Sequence, residues 1–177
     1  MNSRDLIKNR RYLVLRELVG ILGDTGKIKV QKLVYFFQEQ YSLPLGYEFS
    51  MYHYGPYSEE LDSDLTAMKI EGHLSIDPDP DGYGFHVRAQ DEPELEWGSL
   101  SHGDRAAIKD IVDRFGSHHA PELELRATIH FVHRTTKGDR QSVVSSVKSL
   151  KPKFSRDAIE SAYDEMTREH FISDAES

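Results

Sequence analysis

Between residues 30 and 54 the apolar residues change their repeat from a helical to an extended one, and that change limits the folds open to the chain. Val30, Leu33, Val34, Phe37 and Tyr41 recur at i, i+3, i+4, i+7 and i+11, which predicts a helix with Lys29, Lys32, Gln38 and Glu39 on its outer side. Pro44 and Gly46 break the pattern. From Tyr47 to Tyr54 the period is two: Tyr47, Phe49, Met51 and His53 face one way, and Glu48, Ser50, Tyr52 and Tyr54 the other, as in a strand. Gly55-Pro56 is expected to end that strand, because Pro lacks the ladder donor and Gly favours a bend. Ser58 then predicts an N-cap, with Glu59 and Glu60 in the first turn, where carboxylates suit the helix dipole. Leu61, Leu65 and Met68 give that helix, over 58–71, its buried stripe, and Gly72 closes it.

The flanking segments complete the order. Leu15, Leu18, Val19 and Leu22 predict a first helix from about Ser3 to Leu22, ended by GDTG at 23–26. After Gly72 come a strand around His73 to Ile76, the loop DPDPDG, and a strand from about Tyr83 to Ala89 in which Phe85 and Val87 alternate against His86 and Arg88. Helix, helix, strand, helix and two-stranded hairpin is the order of a winged helix. The acidic run at 91–96 reads as a solvated connector. Beyond Trp97 the periods are helical: Ile108, Ile111, Val112 and Phe115; Leu125, Thr128, Ile129 and Val132; Val143, Val144, Val147 and Leu150; Ile159, Ala162, Tyr163 and Met166, with Ser101 and Ser155 as caps. The expected class is therefore α+β. A winged-helix-like half over 1–98 packs with a C-terminal bundle of about four helices over 99–177 as one unit.

Charge is divided unevenly. Residues 1–41 carry a net charge of +4, residues 42–99 carry −11 and residues 100–177 carry −1. A winged helix invites DNA binding through the helix before the wing, but here that helix sets Glu59, Glu60 and Asp62 against Lys69, the wrong sign for phosphates. A DNA-binding regulator that uses Arg4, Lys8, Arg10, Arg11, Lys27, Lys29 and Lys32 stands as the alternative reading. The chain has no cysteine, which removes disulfides, thiolate metal sites and cysteine nucleophiles. No apolar run approaches the roughly 20 residues of a membrane span, and the start, MNSRDLIKNRR, lacks an apolar signal core, so a cytoplasmic protein is expected.

Candidate chemistry is sparse. Asp77, Asp79, Asp81 and Gly82 have the spacing of a calcium loop, but Arg88 stands where a bidentate Glu is needed, and the stretch is read as an acidic turn. His130 and His133 lie one helical turn apart, with His118 and His119 upstream. No acid follows in a metalloprotease pattern, and ordinary core or surface histidines are expected. Neither a nucleophile elbow nor a phosphate loop is present, so the chain is expected to be non-enzymatic, without cofactor or metal. What remains is an aromatic surface. If Met51 and His53 face the core, then Tyr52, Tyr54 and Tyr57 lie outward beside Glu59, Glu60 and Asp62, forming either a grip for a basic protein partner or a face covered by the C-terminal helices.

KVQKLVYFFQE at 29–39 followed by YHYGPYSEEL at 52–61 resembles the Panacea or SocA-like domain, whose pattern is K-x-Q-K-L-x-Y, a spacer, then Y-G-P. Gln31, Lys32, Leu33 and Tyr35 match the first motif, and Tyr54, Gly55 and Pro56 the second. With KPKFSRDAIESAYDEM at 151–166, the wording is similar above all to the YwgA-like branch, and the likeness covers roughly 10–166. The resemblance implies a module that grips other proteins, as an antitoxin or as an adaptor handing a toxin to a protease, in toxin–antitoxin or phage-defence systems. In place of the proline-type helix start common in the antitoxin branch, the chain has Tyr57-Ser58-Glu59-Glu60.

Overall fold

The computed structural model describes residues 3–82, 84–90 and 98–173. The elements run α1 (Ser3–Leu22), β1 (Thr25–Gly26), α2 (Lys27–Gln40), β2 (Ser50–Tyr52), β3 (Gly55–Tyr57), α3 (Glu59–Ile70), β4 (Leu74–Pro78), β5 (Phe85–Ala89), α4 (His102–Phe115), α5 (Ala120–Thr136), α6 (Arg140–Leu150) and α7 (Arg156–Arg168). The α+β class and the two groups of elements are as expected. The acidic connector at 91–96, Trp97 and the start of the last strand at Tyr83 lie outside the described residues.

Helix α2 is the axis of the molecule. Every residue from Val30 to Phe37 is buried, because α4 and α5 pack on one side and the β3 corner closes over another. This corrects the outward placement of Lys32, which is 1% exposed. The core is one continuous cluster drawn from both halves, in which Phe36 stacks on Phe115 at 4.6 Å. Arg10 on α1 binds Asp104 on α4 at 2.7 Å across the same seam. The stripes of α3 (Leu61, Leu65, Met68) and α7 (Ile159, Ala162, Tyr163, Met166) are buried as their periods require. Ser58, Ser101 and Ser155 accept the expected capping hydrogen bonds from Leu61, Asp104 and Ala158.

The strands differ more from expectation. β4 and β5 form the wing hairpin, and β1 adds to β5 to give a three-stranded antiparallel sheet in the order β1-β5-β4. The segment read as one strand from Tyr47 to Tyr54 is a strand only over Ser50–Tyr52. Gly55-Pro56 does not stop the sheet but forms the return strand, pairing Ser50 with Tyr57, Met51 with Pro56 and Tyr52 with Gly55. Gly55, with φ of 85°, supplies the left-handed backbone, and Pro56 is tolerated because a two-stranded ribbon consists only of edges. Three apolar-face assignments also fail. His53 is exposed at the turn of the ribbon, Phe85 at the tip end of β5, and Leu150 at the last residue of α6, where the chain turns into Pro152.

Candidate functional site

Two buried residues of α2 hold the β2–β3 ribbon. The Gln31 amide donates to the Ser58 carbonyl at 3.0 Å and accepts from the Ser58 N–H at 3.1 Å, a two-point clasp at the start of α3. The Lys32 amine donates to the Pro56 carbonyl at 2.7 Å. From the far side Lys151, just past α6, donates to the carbonyls of Tyr52, at 3.1 Å, and His53. Glu124 on α5, itself buried, binds Lys151 at 3.1 Å and Lys153 at 2.7 Å, which sets a carboxylate among three lysines. Burial pushes the Lys32 amine down to about 8, with Glu124 acting in the other direction and Lys151 adding to the fall.

Gly55 lies at the centre of this clamp. A Cβ there would sit 3.1 Å from Thr128 Oγ1, 3.3 Å from the Glu124 carbonyl and 3.4 Å from the Lys32 side chain. The matched residues of the two motifs are thus two sides of one joint. Gln31 and Lys32 reach across to Pro56 and Ser58, Gly55 lets the ribbon approach α5, and Leu33 and Tyr35 lie in the core. The Tyr35 hydroxyl bonds His130 Nδ1 at 2.8 Å.

The clamp turns the ribbon's tyrosines outward. Tyr52 and Tyr54 are 56% and 55% exposed, and Tyr57, half-buried, stacks on Tyr52 at 5.5 Å. With Ile28 and Phe85 they wall an apolar slot of about 240 Å³ whose rim carries Lys27 and Asp62, paired at 2.6 Å. Burial, and Asp62 beside the hydroxyl, push Tyr57 up to about 12. Next to the slot, with Tyr57 common to both, Glu48, Glu59 and Glu60 line an acidic cleft of about 500 Å³ with Phe49.

The sequence-predicted site residues therefore divide. Tyr52, Tyr54 and Tyr57 come together at the slot, while Glu59 and Glu60 belong to the neighbouring cleft. Glu60 is bound by Arg11 at 2.6 Å and Asp62 by Lys27, so these two carboxylates are already partly neutralised. The same pairings account for most of the supposed basic patch: Lys8 with Glu71, Arg10 with Asp104, Arg11 with Glu60, Lys27 with Asp62, and Lys29 on the Gly116 carbonyl. Glu48 and Phe85 were missed as site residues. The alternation of 47–54 put Glu48 outward, a usable signal, whereas that of 83–89 put Phe85 inward and hid it.

Of the candidate metal-ligating histidines, His130 and His133 have hydrogen-bond partners within the fold, and His118 packs edge-on against Phe115. His130 is buried with both ring nitrogens engaged, Nδ1 with Tyr35 and Nε2 with Gln40 at 3.2 Å, and burial, then Arg134 and His133, push it down to about 3. His133 Nε2 bonds the Ser173 carbonyl, and His119 caps α5. In the wing loop Asp79 binds His86 and accepts from the Asp81 N–H, and Asp77 pairs with Arg88. Among the described residues no three acidic or histidine side chains are grouped to hold a metal ion, and no helix is long and apolar enough to cross a membrane.

No protein-family model matches the chain. Over 134 residues it is 34% identical to the DNA ADP-ribosyl glycohydrolase of Thermus aquaticus, an alignment that covers 69% of this chain and 34% of that protein. Over 154 residues it is 27% identical to the uncharacterised protein YwgA of Bacillus subtilis, covering 82% of this chain and 90% of that one. The chain thus spans about a third of the length of the Thermus enzyme and nearly all of YwgA. A distant relation to YwgA agrees with the likeness to the YwgA-like branch, whereas the wider likeness to the Panacea or SocA-like domain has no family-model match.

Proposed function

We propose that the chain is a non-enzymatic protein-binding module, adaptor- or antitoxin-like, that recognises a basic partner with the β2–β3 ribbon. The observation that carries this reading is the combination of exposed Tyr52 and Tyr54 with a ribbon backbone tied down by Lys32, Lys151 and Gln31. Large amphipathic rings on a rigid support bind with little ordering cost. The acidic cleft supplies the sign: Glu48 and Glu59 make no ion pair among the described residues, and a partner Arg or Lys entering beside Phe49 and Tyr57 meets both. The similarity to a third of a larger enzyme fits a module that works alongside a catalytic domain, and the family resemblance suggests a toxin–antitoxin or phage-defence setting.

A second reading is DNA binding, favoured by the Thermus relative's named action on DNA. The two are separated by retention of partners from the native cell extract on the immobilised chain, with and without nuclease, at low and high salt. The module reading expects a protein that survives nuclease and is released by salt. Retention abolished by nuclease would transfer the function to nucleic acid.

A further inference from the structure

Both ring nitrogens of His86 face carboxylates: Nδ1 lies 2.6 Å from Asp24 and Nε2 2.7 Å from Asp79. A carboxylate only accepts hydrogen bonds, so both contacts are bonds only when both nitrogens carry protons. The neutral ring would turn one lone pair toward a carboxylate oxygen and lose that bond. The three residues come from separate parts of the chain. Asp24 is in the turn between α1 and β1, Asp79 is in the β4–β5 connection, and His86 is in β5, so the imidazolium bridges the wing to the helical body.

The surrounding charges favour the proton. Arg88 on β5 binds Asp24 at 2.9 Å and Asp77 on β4 at 3.4 Å, so three carboxylates face one guanidinium and one imidazole. Lys27 and Lys29 from the first turn of α2, with His118 and His119 from the α4–α5 turn, line the adjoining cavity of about 390 Å³. They lie nearby, but the direct bonds decide. Asp24 first and Asp79 second raise the basicity of His86, and Asp24 is held below the usual carboxylate range by His86 and Arg88.

We propose that His86 is a proton-operated latch on the wing: protonated, it adds side-chain ties to both Asp24 and Asp79 beside the β1–β5 backbone pairing, and deprotonated it loses one of them and loosens Gly84 and Phe85, the outer wall of the tyrosine slot. Because the folded imidazole is the more basic one, the latch is complete below the ordinary imidazole range and is lost as pH rises through the raised folded value. Its effect on partner binding rests on the function proposed above; the latch itself does not.

The test is a pH titration of the full chain by NMR that follows the His86 ring nitrogens and the Phe85 amide together. Both should share one midpoint, displaced above that of free imidazole. Asp24→Asn and Asp79→Asn should each lower that midpoint, Asp24→Asn the more. Asp79 is in an exposed turn, so its variant gives the same readout should Asp24→Asn fail to fold. A His86 midpoint at or below that of free imidazole, or a Phe85 signal that ignores it, would overturn the latch. A working latch with partner retention indifferent to pH would count against the tyrosine surface as the binding face and leave the latch standing.

Discussion

Lys32 shows how one side chain escapes a periodicity argument. Its place on α2 reads as outer face, yet it is buried because the Pro56 carbonyl and the Glu124 carboxylate, both remote in sequence, close over it. Nothing local encodes those partners; only the pairing of the two motifs hints at them. Lys32→Met removes a costly buried charge and also orphans the Pro56 carbonyl, at about 1–3 kcal/mol, so a modest net loss is expected. Glu124→Gln should cost more, about 3–5 kcal/mol in urea denaturation, because it leaves buried Lys151 without its carboxylate. His130 gives a pH prediction of the opposite sign to the wing latch. Its folded value near 3 lies below the unfolded one, so the unfolded chain binds the proton first and stability falls as pH drops from about 6 toward 3. His130→Gln should flatten that part of the stability profile measured by urea denaturation.

At the scale of elements, the helices were legible and the ribbon was not. The stripes of α3 and α7 repeat over about two turns each and need only one apolar face against the core. β2 and β3 have three residues each, too few for a period to declare itself, and Gly55-Pro56 carries a stop signal that the clamp overrides. That override makes the ribbon sensitive. Gln31→Ala would leave the Ser58 N–H unpaired in a buried corner, the Ser58 carbonyl keeping its bond from the Asp62 N–H, and hydrogen exchange at Ser58 should accelerate at least tenfold, about 1.4 kcal/mol. Gly55→Ala combines a left-handed backbone with a Cβ 3.1 Å from Thr128 Oγ1, and should destabilise by more than about 1 kcal/mol in the same denaturation assay.

For the whole molecule, the sequence's charge blocks describe the chain but not its surface. The positive first block and the negative middle block interlock through Lys8–Glu71, Arg11–Glu60 and Lys27–Asp62, so the carboxylates left over in the cleft are Glu48 and Glu59. Folding, not composition, determined that remainder, which is why two of the three carboxylates singled out in the sequence, Glu60 and Asp62, are already engaged. Reversing Glu48 and Glu59 to lysine should weaken a basic partner at low salt with little change in melting temperature, whereas Lys at positions 60 and 62 should also cost stability by breaking the pairs with Arg11 and Lys27. The most direct measurement is the affinity of the purified, nuclease-resistant partner for the native chain and for the double variant Tyr52→Ala/Tyr54→Ala, by isothermal titration calorimetry with melting curves alongside. A loss of about tenfold or more at unchanged melting temperature is the predicted result. Equal affinities for the two proteins would contradict the ribbon as the binding face.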